Sequence, residues 1–293
     1  MTARLIRGRE IAAAIRQEIA QQAHALRAAA GIVPGLAAIL VGDDPASQSY
    51  LRAKQQAARE LGFHSIQETL PADVSPQVLL DLLARYHRDP AFHGILVQLP
   101  LPSHLNEADV LYALDPDKDV DGFHPLNVGR LVLGQPTFLP CTPYGIQQLL
   151  LRGGVPIEGA DVVVVGRSNI VGKPIANILL QKAPGANATV TVCHTRTRRL
   201  ADHTRRADIL IVAAGRPKAI TADMVKPGAV VIDVGINEIG RTPDGKRRLV
   251  GDVDFDAVKE VASAITPVPG GVGPMTIAML MLNTLHAAQR AAS

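Results

Sequence analysis

The stretch "DVVVVGRSNIVGKPIA" covers residues 161–176. Val162 to Val165 run straight into Gly166, and Gly172 follows six residues on. An unbroken β-branched run is the pattern of a strand buried on both faces, and a glycine turn after it leads to a helix whose N-terminus favours an anion. The usual dinucleotide fingerprint carries three glycines. Here Ser168 holds the middle place, giving G-x-S-x-x-x-G. Gly166 suits the tight turn, Gly172 suits close approach of backbone to a ligand, and the Ser168 hydroxyl can donate to a phosphate. A plain strand-to-helix turn would look much the same, so the loop alone leaves both readings open.

The next strand bears on the cofactor. A fold that takes NAD places an acid roughly 20 residues beyond the loop, where it holds the ribose 2′-hydroxyl. This chain has "VCHTRTRR" (192–199) there, with Thr195 and Arg196 where the acid should stand. Arg167 lies in the loop itself. A guanidinium matches a 2′-phosphate in geometry and charge, so the pattern favours NADP over NAD. Arg198 and Arg199 read as a solvated helix start.

Outward from this point strands and helices alternate. Apolar runs at 187–195, 207–215 and 228–236 read as continuous strands of a parallel, doubly covered sheet. A helix is expected from about Pro143 to Arg152, and a last one from Pro274 after the Gly/Pro-rich "ITPVPGGVGP". In the first half, strands are expected at 35–42, 64–71 and 94–102. The helix between the first two, 43–62, has Asp44 as N-cap and Pro45 at its first position; another spans 75–89. Residues 114–143 read as a charged, loop-rich stretch. The opening segment, with Ile11, Ile15 and Ile19 four apart, is an amphipathic helix, and Glu10 and Glu18 argue against a transit peptide. The fold class is two α/β domains, with a boundary near residues 140–150.

Composition narrows the partners. The chain has 293 residues, 47% of them hydrophobic, which allows a sizeable core. Aromatics are 3% with no Trp, so there is little to stack on bases, and a net charge of +3 is too weak and scattered for nucleic acid. That mild positive balance suits a small anionic ligand. Cys141 and Cys193 have no C-x-x-C partner and read as reduced thiols of a reducing compartment, the cytoplasm. No apolar run approaches ~18 residues, so no membrane span is expected. The nine histidines show no metal-ligand spacing, and no metal is expected.

A second set of candidates lies on the helix expected at 43–62. Ser47, Tyr50, Leu51 and Lys54 share a face by their spacing, beyond the C-terminal end of the first strand, where open α/β sheets bind ligands. Gln98 ends another strand of that sheet. An exposed lysine beside a half-buried tyrosine is the plainer account of a lone Y-x-x-x-K. The motif also fits a short-chain dehydrogenase, but there the cofactor glycines come first; here they follow by more than a hundred residues.

Taken together, "SQSYLRAK" (47–54), "VQLPLP" (97–102), "DKDVDGFHPLNVGRL" (117–131), "PCTP" (140–143), "GRSNIVGKP" (166–174), "VIDVGIN" (231–237), "GDVDF" (251–255) and "ITPVPGGVGPMTIAML" (265–280) make the chain recognisable. It resembles the bifunctional methylenetetrahydrofolate dehydrogenase/methenyltetrahydrofolate cyclohydrolase (FolD) family over nearly its whole length. The resemblance implies NADP-dependent oxidation of 5,10-methylenetetrahydrofolate, then hydrolysis to 10-formyltetrahydrofolate. It implies a catalytic folate-binding domain from 1–142 plus 274–293, a Rossmann-type NADP-binding domain from 143–273, and an active-site cleft between them. It implies a catalytic set of Lys54, its partner Gln98 and Tyr50, that Tyr50 also packs on the folate and that Asp121 holds the pterin. The loop 269–273, with Gly270 and Gly271, would help close the folate pocket. Cofactor contacts would come from Gly166, Arg167, Ser168, Thr195, Arg196 and Ile236. A homodimer binding tetrahydrofolate derivatives is implied.

These roles suit the chemistry. A pterin offers an amino group and a ring N–H side by side, and one carboxylate accepts both. Without the motif, Asp121 would pass as a turn residue. Burial beside a cationic substrate favours the neutral amine that proton transfer needs. Two positions depart from the family pattern: Tyr144 stands where a basic residue is frequent, and Arg7 where an acid is common. A monofunctional dehydrogenase and a nonenzymatic folate- or nucleotide-binding module are the alternatives; Lys54 and Gln98 speak against both.

Overall fold

A computed structural model describes residues 2–241, 245 and 247–292. The chain opens with β1 (Arg4–Leu5) and the long helix α1 (Gly8–Ala30). It then alternates through β2 (Gly35–Val41), α2 (Pro45–Glu60), β3 (His64–Leu70), α3 (Pro76–Arg88) and β4 (Gly94–Val97). Two short helices come next, α4 (Glu107–Tyr112) and α5 (Pro125–Val132), and then α6 (Cys141–Arg152). The second alternation is β5 (Asp161–Val165), α7 (Gly172–Leu179), β6 (Thr189–Cys193), α8 (Leu200–Thr204), β7 (Ile209–Val212) and β8 (Val230–Asp233). An antiparallel pair, β9 (Asn237–Arg241) and β10 (Arg247–Val250), precedes α9 (Phe255–Val258), β11 (Ala264–Ile265) and α10 (Val272–Ala291).

Two compact units result: Ala13–Cys141 with the chain from Ile277 onward, and the chain up to Ala12 with Thr142–Thr276. The first is built on a parallel sheet in the order β3-β2-β4. All seven residues of β2 are buried, as its unbroken apolar run requires. The Asp44 carboxylate accepts from the Ser47 N–H at 2.7 Å and Pro45 sits at the first turn, so α2 starts where the sequence says. Ser75 caps α3 in the same way. Leu79, Leu83, Ile39 and Ile95 meet in the core beneath. The strand expected over 94–102 stops at Val97; Pro100 and Pro102 cannot donate to a ladder. Inside the stretch read as loop, α5 forms on a His124 cap that accepts from the Leu126 N–H, with Pro125 next.

The second unit holds six parallel strands in the order β1-β11-β8-β7-β5-β6. Val163, Val165, Leu210, Val212, Val231 and Ile265 form its core. Here the structure departs from the expected boundaries. The expected folate-binding domain keeps all of 1–142, yet β1 pairs with β11, Arg4 to Ala264 and Leu5 to Ile265, which carries the chain up to Ala12 into the second unit. β6 also differs from the doubly covered strand expected. It ends the sheet, and of its five residues only Cys193 is buried.

Candidate active site

In the first unit the C-terminal ends of β2 and β4 lie side by side. The Gln98 N–H donates to the Ile39 carbonyl at 2.9 Å, so Gln98 leaves the sheet at its C-terminal edge. There α2 brings down its buried face, made of Ser47, Leu51 and Lys54. Lys54 is only 7% exposed. Its Nζ donates to Gln98 Oε1 at 3.0 Å, while Gln98 Nε2 donates to the Leu99 carbonyl at 2.8 Å. The two bonds leave the amide one orientation: an ammonium can only donate, and a carbonyl can only accept. Tyr50 stands at the margin of the same face, 38% exposed. Gln55, one residue on, is also buried but docks α2 on β3 through the Ile66 carbonyl and Ser65.

Asp121 reaches the same edge by a different route. Ile95 bridges to Asp119 in parallel register, and the Ile95 N–H donates to the Lys118 carbonyl at 2.8 Å. The segment that ends in Asp121 therefore runs beside β4 toward Gln98. Asp119 is buried and accepts from the His124 N–H and Asn127 Nδ2. Burial holds its carboxyl above the usual range against those two bonds. Gly122 has φ +74°, and a Cβ there would lie 2.9 Å from the Pro140 nitrogen. This close pass brings the loop onto Cys141. Burial pushes the Cys141 thiol well up, and the Asp121 carboxylate adds to the shift while Lys54 opposes it. Both charges thus act on one buried thiol.

In the second unit the glycine loop closes on itself. Gly166 has φ +133°, and a Cβ there would collide with the Ala213 carbonyl. A Cβ on Gly172 would collide with the Gly166 carbonyl. What a glycine admits at position 172 is the loop's own backbone. The Ser168 hydroxyl oxygen accepts from the Val171 and Gly172 N–H groups at 3.1 and 3.4 Å. As an acceptor in both bonds it can still donate its own hydrogen. Val165 pairs with Cys193, and the His194–Thr197 turn beyond it holds Thr195 and Arg196 exposed beside the loop. This cradle fits a nucleotide: a helix N-terminus, a hydroxyl beside it, an exposed Arg167 and no carboxylate in 192–199.

A buried knot supports the cradle. Asp233 accepts from the backbone N–H groups of Gly235, Asp252 and Val253. Asp252 accepts from those of Ala214 and Gly215 and from Asn237 Nδ2. Gly235 and Gly251 leave no room for a Cβ against these carboxylates. The knot fixes both ends of the segment that presents Ile236, 44% exposed. Burial, despite three backbone donors, lifts Asp233 to about 6.

Known proteins resemble the chain along its whole length. A family model described as the tetrahydrofolate dehydrogenase/cyclohydrolase catalytic domain matches residues 6–121, and its NAD(P)-binding counterpart matches 140–292. The chain belongs to the tetrahydrofolate dehydrogenase/cyclohydrolase family. It is 67% identical over 292 residues to a protein named bifunctional protein FolD from Syntrophus aciditrophicus, covering 100% of this chain and 99% of that one. A bifunctional FolD structure from Campylobacter jejuni matches with TM-score 0.91 and 48% identity over 98% of both chains. The Trypanosoma brucei dehydrogenase-cyclohydrolase, solved with NADP cofactor and inhibitor, matches with TM-score 0.93 and 41% identity over 99% of this chain and 98% of that one.

Within this family member the candidates fall into two groups. Lys54, Gln98, Tyr50 and Asp121 gather at one sheet edge of the first unit. Gly166, Arg167, Ser168, Thr195, Arg196 and Ile236 gather at the other sheet. Gly270 (φ +107°) accepts from the Arg9 N–H, whereas Gly271 is buried with Gly8 packed against it. Arg7 pairs with Glu10 at 3.7 Å. Arg199 pairs with Asp202 at the start of α8, as a solvated helix start would. Sequence reasoning gave no role to the Asp233–Asp252 knot. Its signal was there: two acids inside apolar runs, Asp233 two residues before a glycine and Asp252 directly after one. Among the described residues no group of three His, Cys, Asp or Glu side chains is placed to hold a metal ion.

Proposed function

We propose that this chain oxidises 5,10-methylenetetrahydrofolate to the methenyl form and hydrolyses that product to 10-formyltetrahydrofolate, with Lys54 carrying the proton chemistry. The observation behind this is the buried Lys54, whose amine is held by a neutral amide at 3.0 Å. Gln98 orients the amine without adding a counter-charge. A pure binding module has no use for that arrangement.

Hydrolysis adds water to the methenyl carbon and breaks one C–N bond. The water gives up one proton as it attacks, and the hydroxyl it leaves on carbon gives up the other as the formyl C=O forms; the departing nitrogen gains one proton, and one is released to solvent. Lys54 takes the first proton and passes one to the departing nitrogen. Asp121 accepts from the pterin amino group and ring N–H, and Tyr50 packs on the folate.

NADP, when bound, supplies the hydride acceptor. Gly166, Ser168 and the start of α7 would hold its phosphates, Arg167, Thr195 and Arg196 would take the 2′-phosphate, and Ile236 would add an apolar contact. The preference for NADP over NAD is supported by the absence of an acid at 192–199. The family resemblance supports a homodimer. Two buried free thiols suit the reducing cytoplasm. The deciding experiment mixes the protein with methylenetetrahydrofolate and NADP and follows the methenyl chromophore. It should appear and then decay faster than in a protein-free control. No appearance refutes the dehydrogenase, and decay at the control rate refutes the cyclohydrolase.

A further inference from the structure

We infer that Asn283, on the C-terminal helix α10, is a positioning residue for the folate carboxylate Asp121. The inference rests on the role proposed for Asp121 above. Asn283 is 2% exposed. Its Nδ2 donates to the Val120 carbonyl at 2.8 Å and to the Leu139 carbonyl at 2.9 Å. Those acceptors belong to the two backbone segments that pass each other at Gly122, one of which carries Asp121. The amide therefore staples the residue before Asp121 to the strip that leads into Cys141.

Other contacts set the same loop. The Cys141 thiol donates to the Val120 carbonyl at 3.3 Å and lies 3.7 Å from Asn283 Nδ2. The Val120 side chain is buried against Gly94, where a Cβ would come within 2.8 Å of it. Asp119 is held by His124 and Asn127. The side chain and carbonyl of Val120 and the residue before it are thus fixed, and Asp121, the next residue along, inherits its direction. A side-chain amide is suited to the task because its two N–H groups can reach two buried carbonyls on different segments at once.

The test measures folate KM, kcat, NADP binding and thermal unfolding for Asn283→Leu, Asp121→Asn and the double variant. Leucine keeps the branched shape and heavy-atom count and removes both donors. Its KM for methylenetetrahydrofolate should rise about tenfold or more, because a loop misplaced by a fraction of an ångström forfeits oriented contacts. NADP affinity should stay within about twofold, since the cradle is built on other elements. In the Asp121→Asn background the added rise in KM should shrink to about twofold or less. A merely structural residue would add its full effect there. Should Asn283→Leu fail to fold, Cys141→Ala, which removes the weaker donor to the same carbonyl, should raise KM about two- to threefold with kcat held. An unchanged KM in the folded variants overturns the inference, as does full additivity with Asp121→Asn. If Asp121→Asn itself leaves folate binding unchanged, the reading of Asp121 falls and the inference with it.

Discussion

Replacing Lys54 with methionine should separate the two activities. Methionine keeps most of the aliphatic stem, which lies beside Ser47 and Leu51 on the buried face of α2. What disappears is the ammonium and its 3.0 Å bond to Gln98 Oε1. Gln98 does not swing free, because its Nε2 still donates to the Leu99 carbonyl. An acceptor left without a donor costs about 1–3 kcal/mol, and removal of a buried charge offsets part of that. The net is about 1 kcal/mol, or about 2–4 °C in Tm for a chain of this size. Catalysis loses more. Without a group that takes a proton from water and returns one to nitrogen, hydrolysis should slow about 10²–10⁴-fold, which is about 3–5 kcal/mol of barrier. Hydride removal needs no base and should fall far less. In the coupled assay the methenyl chromophore should therefore build up and persist. If it decays at the wild-type rate, or if both activities fall together, Lys54 is not the proton shuttle of the hydrolysis.

Asp121→Asn should weaken folate binding and leave NADP binding intact, because the amide turns one acceptor into a donor facing pterin donors. Separate titrations with tetrahydrofolate and NADP check this; parallel loss of both would mean that Asp121 shapes the loop instead. NADP should exceed NAD in kcat/KM by about tenfold or more, the worth of a charged contact to the 2′-phosphate; equal values would remove the case built on Arg167, Thr195 and Arg196. A pH dependence is expected from Asp233, which rises from 3.8 unfolded to about 6 folded, so that the folded state holds its proton more tightly. Its stabilising contribution is complete below about pH 4 and is lost as pH climbs to about 6, by about 3 kcal/mol in all. The Tm of the wild type relative to Asp233→Asn should fall across that interval, and a flat or rising difference would refute the shift.

Much of this was legible in the sequence because it is decided locally. The caps at Asp44 and Ser75 act within one turn, the valines of β5 need only a buried environment, and Gly166 needs only its own positive φ. The spacing of Ser47, Tyr50, Leu51 and Lys54 already put them on one face of α2, though not that Lys54 would be buried, and the missing acid after β6 already spoke for NADP. The rest depends on partners far along the chain. A two-residue strand such as β1 has no periodicity to read, and only the open side of β11 assigns it a domain. β6 reads like β7 until the sheet ends beside it. Gly172 has a meaning only when the Gly166 carbonyl stands against it. Asp233 meets Asp252 across 19 residues, and Asn283 meets Val120 across 163. A hydrogen bond between such positions leaves no pattern in the intervening residues, because its geometry comes from the packed sheets and helices that bring the two ends together.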